Sequence, residues 1–137
     1  PIKSSAASDV YKRQGYRSDV RIATTREGYD ALIEIMDLKN KSGNVEYPLI
    51  GSDIDPGYFE EEGGSVVFGW DSIKWYDGLY RSVDDVILAL DEIGAKEHPY
   101  EFCRIGESWD DIEFRTVNEN ELLALHVEPS VTIEIIG

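Results

Sequence analysis

The chain has 137 residues, of which 28 are acidic and 13 are basic, so its formal net charge is −15 at pH 7. A charge of this sign repels nucleic-acid phosphates and anionic membranes, which argues against direct binding to either. It permits a basic protein partner or mimicry of nucleic acid, or it serves only solubility. Hydrophobic residues form 42% of the chain, which is typical of a folded domain. Cys103 is the only cysteine, so we expect no intrachain disulfide and a reducing compartment.

The amino-acid sequence of residues 4–14 indicates an origin different from that of the rest of the chain. Their sequence, SSAASDVYKRQ, can be back-translated into a transposase sequencing adapter read in frame. Eleven consecutive residues match, which is too many for coincidence. We therefore predict that residues 1–14 are a non-native, adapter-derived leader from a shotgun or metagenomic assembly, and we exclude them from the fold. Residues 15–137 are predicted to form a single α/β domain.

The first half of this domain shows strand and helix patterns in turn. Alternating polar and apolar residues predict a strand over residues 18–23. The capping box at residues 24–27 predicts a helix that starts there and continues to about Lys39, with its apolar residues on one face. A short strand is predicted at residues 45–50. Residues 51–63 contain a Pro-Gly turn and an acidic run with glycines, so we expect them to form a mobile surface loop.

The second half continues with the same two kinds of pattern. Large apolar residues alternate with small or polar ones over residues 65–71, which indicates a strand. Helical spacing of apolar residues predicts a second helix over residues 82–93, with Gly94 as its C-terminal cap. The remaining predicted elements are a hairpin of strands at residues 100–105 and 111–117, a short helix at residues 119–125 and a closing strand at residues 131–135.

The order of these elements predicts an α+β fold. We expect two layers in a ferredoxin-like βαββαβ arrangement with extra edge strands, in which two helices cover one face of a mostly antiparallel sheet. The opposite face of that sheet would then be open or used by a partner.

No motif in the chain carries recognisable catalytic or metal-binding chemistry. Cys103 lies in the middle of a predicted strand, without a helix N-terminus to activate it, so we predict a packed thiol rather than a nucleophile. His98 and His126 lack the spacing of a zinc site, and Asp53 and Asp55 lack the glycine and distal glutamate of a calcium loop. We therefore predict no catalytic residues, no metal and no cofactor.

Cationic and aromatic residues are the remaining candidates for a binding site. Positive charge is scarce in this chain, and Lys74 has aromatic neighbours. In one interpretation the rings stack on a base and the cations meet phosphates; in the other the tryptophans fill the core and the cations pair with surplus carboxylates. The predicted ligand-binding residues are Arg17, Lys74, Trp75, Tyr76, Arg104 and Trp109. We expect the cations to line one concave site, which a second subunit of a homo-oligomer could complete.

Three segments that include these residues resemble a group of phage proteins. The segments are GYRSDV at residues 15–20, GWDSIKWY at residues 69–76 and RIGE at residues 104–107. They are similar to motifs of small uncharacterised proteins of tailed phages and prophages, over residues 15 to about 117. The resemblance supplies no catalytic residues. It implies an accessory gene product in the cytoplasm of an infected bacterial host, where such proteins often act on host machinery, including immune signalling.

Three functions remain open from the sequence. The first is non-catalytic binding of a small nucleotide-like immune signal, which the protein would sequester. The second is an acidic protein-binding inhibitor or nucleic-acid mimic that binds a basic host protein. An unrecognised hydrolase is the third, and the missing nucleophile–base pair disfavours it. The acids expected to line a mimicking surface are Glu60, Glu61, Glu62, Asp84, Asp85, Asp110 and Asp111.

Overall fold

Five strands and two helices make up the part of the chain that the structure describes. A computed structural model describes residues 15–119. In chain order its elements are β1 (Ser18–Thr25), α1 (Arg26–Gly43), β2 (Tyr58–Glu62), β3 (Ser65–Ile73), α2 (Arg81–Ala95), β4 (Tyr100–Ile105) and β5 (Ile112–Val117). The strands form one sheet in the order β2-β3-β1-β4-β5, and every neighbouring pair is antiparallel. The protein is therefore of the mixed α+β class.

The predicted helices are present, with different ends. Thr25 caps α1 by accepting a hydrogen bond from the Gly28 backbone N–H at 3.0 Å. This helix continues past Lys39 and ends where Asn44 adopts a left-handed conformation. The prediction that Gly94 caps α2 is wrong, because Gly94 lies inside the helix and Lys96 follows its end. The missing side chain of Gly94 instead leaves room for neighbours that pack there from β4 and β5.

The connection between α1 and β3 differs most from its prediction. Residues 45–50 form no strand. In their place is an irregular loop that packs on the core, with Ile50 fully buried. The segment predicted as a surface loop contains β2, which pairs with β3 at the edge of the sheet. An edge strand keeps its glutamates in water, so three consecutive acids are compatible with it. The elements predicted at residues 119–125 and 131–135, and the leader at residues 1–14, fall outside the described residues or at their limit.

The main core lies between the sheet and both helices. Side chains alternate across a strand, so every second residue of β1, β3 and β4 faces the same way. These residues join the buried faces of both helices in one cluster, which places the two helices on the same face of the sheet. The largest fully buried members of this cluster include Ile22, Leu32, Met36, Phe68, Leu90, Ile93, Tyr100 and Phe102. Within residues 15–119, neither helix is long and apolar enough to cross a membrane.

The opposite face of the sheet carries a smaller apolar cluster. It consists of Ala23, Val67 and Cys103, with Tyr58 and Ile105 packed against them. Burial raises the pKa of the Cys103 thiol above its ordinary value, while the nearby Arg104 charge acts in the opposite direction. Cys103 is 4% exposed within this cluster, so it is a packed side chain.

Gly69 of β3 lies directly against the backbone of β1. A side-chain carbon on Gly69 would overlap the carbonyl group of Val20, in the part of β1 where the strand register is irregular. Both atoms that would collide with it belong to the backbone of the central strand, which cannot move aside cheaply. The close contact between the two strands therefore depends on this glycine.

We expect Gly69→Ala to lower the free energy of unfolding by about 1–3 kcal/mol or more, because the added methyl group forces the two strands apart. Urea denaturation measures this loss. Gly57→Ala is the matched control, since its new methyl group would have its nearest neighbour at 3.5 Å, an ordinary contact. That variant should stay within about 0.5 kcal/mol of wild type. Similar losses in both variants would contradict the claim that the contact between β1 and β3 depends on Gly69.

Candidate functional site

A cleft of about 630 Å³ opens beside the end of β3, the start of α2 and the loop after α1. This volume lies within the range of roughly 300–1,000 Å³ that is typical of sites for small ligands. Its lining combines apolar side chains, exposed rings and three cations, together with two acids. The residues that matter below are Arg17, Tyr47, Leu49, Trp70, Ile73, Lys74, Leu79, Tyr80, Arg81 and Val83, and the two acids are Glu46 and Asp71.

Arg17 and Lys74 lie at the same cleft although 56 residues separate them in the chain. Arg17 precedes β1 and Lys74 follows β3, and the register of these two strands pairs Ser18 with Ile73. The Arg17 Nη1 donates a hydrogen bond to the Ser72 carbonyl oxygen at 2.8 Å. Neither side chain forms an ion pair with another described residue. Two of the cations predicted for one site are therefore near each other and not neutralised by a described carboxylate.

Arg81 is a third cation of the cleft, and our sequence analysis did not select it. It is the first residue of α2, and the residue before it, Tyr80, makes no capping hydrogen bond with its side chain. The backbone N–H groups in the first turn of a helix give this end a partial positive charge, which the carboxylate of Asp84 in the same turn partly offsets. A cation beside aromatic and apolar neighbours is the same local signal that selected Lys74, and it could have revealed Arg81.

Trp75 and Tyr76 are core residues that do not line the cleft. Trp75 is 3% exposed and stacks on Trp70, with 5.7 Å between the ring centres. Tyr76 is 5% exposed, and its ring centre lies 5.1 Å from that of Tyr80. Burial raises the pKa of the Tyr76 hydroxyl above its ordinary value. These two predicted binding residues therefore support Trp70 and Tyr80, which do line the cleft.

Arg104 lies away from the cleft, in a buried ion pair with Asp111. Its Nη2 is 2.7 Å from Asp111 Oδ1, and each side chain is only 8% exposed. The Arg104 Nε also donates to Glu113 at 3.0 Å, and its Nη1 donates to the Ser18 hydroxyl at 3.0 Å. The guanidinium of Arg104 is thus directed at side chains of β5, the β4–β5 turn and the start of β1. The structure does not bring this predicted residue together with Arg17 and Lys74.

Tyr16 joins this ion pair to the start of β1. Its hydroxyl donates a hydrogen bond to Asp111 Oδ2 at 2.6 Å and accepts one from the Ser108 backbone N–H at 3.2 Å. Burial, followed by the hydrogen bond to Asp111, raises the pKa of the Tyr16 hydroxyl, which keeps it a donor. A side chain on Gly106 would overlap both the Tyr16 hydroxyl and the Asp111 carboxylate, so this turn requires a glycine. We call the group Tyr16, Arg104 and Asp111 the hairpin anchor.

The remaining predicted residues are dispersed. Trp109 is 83% exposed in the turn between β4 and β5 and does not line the cleft. Among the acids predicted for a mimicking surface, Asp85 and Asp111 are buried, so they cannot contribute to one. The glutamates of β2 are exposed. Within residues 15–119, no group of three or more His, Cys, Asp or Glu residues is positioned to hold a metal ion.

Comparison of the chain with protein-family models, with curated proteins and with solved structures finds no match. The argument for function therefore rests on the cleft and on the residues that line it. Three properties of the cleft bear on ligand chemistry: its cations, its rings and the exposed N-terminal end of α2.

The hairpin anchor can be tested by removing one partner of its ion pair. We expect Asp111→Ala to lower the free energy of unfolding by about 3–5 kcal/mol, because Arg104 would remain buried without its main carboxylate partner. The control is Asp71→Ala, which removes a carboxylate that pairs with Arg21 at 2.7 Å but is 67% exposed. An exposed pair of this kind contributes at most about 1 kcal/mol. Equal losses in urea denaturation of the two variants would contradict the proposed importance of the anchor.

Proposed function

We propose that the protein is a non-catalytic binder of a small, anionic, nucleotide-like ligand, which it holds in the cleft. The observation that supports this most is the grouping of Arg17, Lys74 and Arg81 around one cavity. The chain has 13 basic residues against 28 acidic ones, so a ligand with phosphate groups would meet a repulsive field over most of the surface. An acidic protein can bind such a ligand only where it concentrates its few cations.

The rings of the cleft supply the second kind of contact. Tyr47 and Tyr80 are exposed at the cleft, so each can stack on a base or a similar ring. Trp70 is fixed in place, because its indole N–H donates to the Leu49 carbonyl oxygen at 3.2 Å. Stacking contributes roughly 1–3 kcal/mol per ring, and a charged hydrogen bond contributes about as much. Three or four such contacts are sufficient for binding in the micromolar range.

The resemblance to phage proteins suggests the biological setting of this binder. Two of the three resembling segments contain residues of the cleft: Arg17 is in the first, and Trp70 and Lys74 are in the second. A protein without a nucleophile–base pair returns its ligand unchanged. In the cytoplasm of an infected bacterium, such a protein would act by sequestering a nucleotide-like immune signal, as a sponge that lowers the free concentration of the signal.

We also propose that the fold is an extended form of the ferredoxin-like βαββαβ arrangement. The support is that, without β5, the strand order is β2-β3-β1-β4, with both helices packed on one face. In this view β5 is an added edge strand that pairs with β4.

An acidic inhibitor that binds a basic host protein is the second candidate. The exposed glutamates at positions 60, 61 and 62 favour it, since they project from the outer strand of the sheet. Its support is weaker, because two of the seven acids expected on such a surface are buried. A complex of this kind would depend strongly on salt, because exposed charges are screened over about 10 Å at 0.1 M ionic strength.

Calorimetric titration tests the proposed binder, with cyclic diadenylate and ADP-ribose as probes. We expect a Kd in the micromolar range or lower for at least one of them, and recovery of that ligand unchanged after denaturation. Lys74→Gln should weaken binding about tenfold or more, because it removes one charged hydrogen bond. Lys96→Gln is the control, since it makes the same change of charge at the opposite end of α2, where Lys96 is exposed.

Two results would refute this proposal. One is that neither probe binds at millimolar concentration. The other is an equal loss of affinity in the Lys74 and Lys96 variants, because that would show a general effect of net charge and not a contact in the cleft.

A further inference from the structure

Arg81 occupies a space that a glycine of the neighbouring helix leaves free. Gly43 is the last residue of α1, and the guanidinium of Arg81 lies directly against it. A side-chain carbon on Gly43 would overlap the Arg81 Nη2 and would lie 2.7 Å from its Cζ. The guanidinium can therefore reach this position only because residue 43 has no side chain.

Asp85 faces the same guanidinium from one turn further along α2. Its side chain is 8% exposed, and its Oδ2 lies 3.7 Å from the Arg81 Nε. Among the described residues this oxygen has no hydrogen-bond donor. A buried carboxylate requires a nearby opposite charge, and Arg81 supplies it. Gly43 and Asp85 thus hold the Arg81 guanidinium between the end of α1 and the start of α2.

The other two cations of the cleft are held by different elements. Arg17 is tied to Ser72 at the end of β3, and Lys74 follows the same strand. Arg81 is tied to the two helices. Apolar side chains that include Ile73, Leu79 and Val83 line the same cleft. The cleft therefore contains two cationic groups that different elements hold in place, together with an apolar surface.

We infer that Arg81 forms a second anion subsite of the cleft, separate from that of Arg17 and Lys74. This inference rests on the proposed function. The ligand of the cleft then carries two phosphate groups, as a dinucleotide or a nucleoside diphosphate derivative does. A nucleoside monophosphate fills only one subsite and leaves the other without a phosphate. Arg81 selects for the second phosphate, and Gly43 and Asp85 are the residues that position it.

Gly43→Ala tests this inference without changing any charge. Alanine favours the helical conformation more than glycine does, but displacing Arg81 leaves the buried Asp85 carboxylate without its counter-ion. The variant should therefore melt at a lower temperature than wild type, and its affinity is measured below that temperature. Its methyl group displaces the Arg81 guanidinium, and the affinity for cyclic diadenylate should fall about tenfold, the equivalent of one charged hydrogen bond. Arg81→Gln should show the same loss. In both variants, the affinity for adenosine monophosphate should fall clearly less than the affinity for cyclic diadenylate. Lys96→Gln again serves as the control for a change of net charge.

The outcomes separate this inference from the proposed function. If Gly43→Ala or Arg81→Gln leaves the affinity for cyclic diadenylate unchanged, or if both probes lose affinity equally, the second subsite is refuted. The proposed function survives either result, because wild-type protein still binds. If wild-type protein binds neither cyclic diadenylate nor ADP-ribose, the proposed function fails and the second subsite fails with it. If wild-type protein binds ADP-ribose but not cyclic diadenylate, the affinity for ADP-ribose is compared with that for adenosine monophosphate in the same variants.

Discussion

The buried ion pair between Arg104 and Asp111 fixes the position at which β1 begins. The Asp111 carboxylate accepts a hydrogen bond from the Tyr16 hydroxyl, and the backbone N–H of Arg17 donates to Glu107 in the same turn at 2.6 Å. The start of β1 is therefore fixed to the β4–β5 hairpin. Because β1 pairs with both β3 and β4, this fixed start also determines the register with β3 that brings Arg17 and Lys74 together. A buried pair contributes little net stability, so its importance here lies in the geometry that it imposes.

The elements that sequence analysis predicted correctly are those whose signal is local. Alternation of residue types identified β1, β3, β4 and β5, and the capping box identified the start of α1. The wrong predictions occur where contacts between residues far apart in the chain determine the local structure. Three of the five residues of β2 are exposed glutamates, so no alternation of residue types reveals its pairing with β3. The apolar residues at 45–50 looked like a strand because loop residues that cover a core are apolar too.

Sequence analysis selected only some of the residues that line the candidate cleft, for a similar reason. Arg17 and Lys74 were selected by chemical type, and strand register then brought them together. Ser72 explains why the aromatic residues after β3 are buried. Its positive φ of 52°, supported by a hydrogen bond from its N–H to Asp19 at 2.8 Å, resets the alternation of the chain and returns Trp75 to the core. Such a conformation is rare for serine and cannot be read from composition.

The acidic surface and the cationic cleft act on different length scales, so the proposed binder would repel nucleic acid and still hold a small anion. The repulsion comes from carboxylates spread over the surface, and salt screens it beyond about 8–10 Å. Contacts in the cleft act at hydrogen-bond distance beside apolar and aromatic side chains, where salt screens them far less. A polyanion that extends beyond the cleft meets the whole field, whereas a compact ligand meets mainly the cations that surround it. In the proposed function, the net charge of the protein would therefore select against large anions, and the placement of Arg17, Lys74 and Arg81 would allow a small anion to bind.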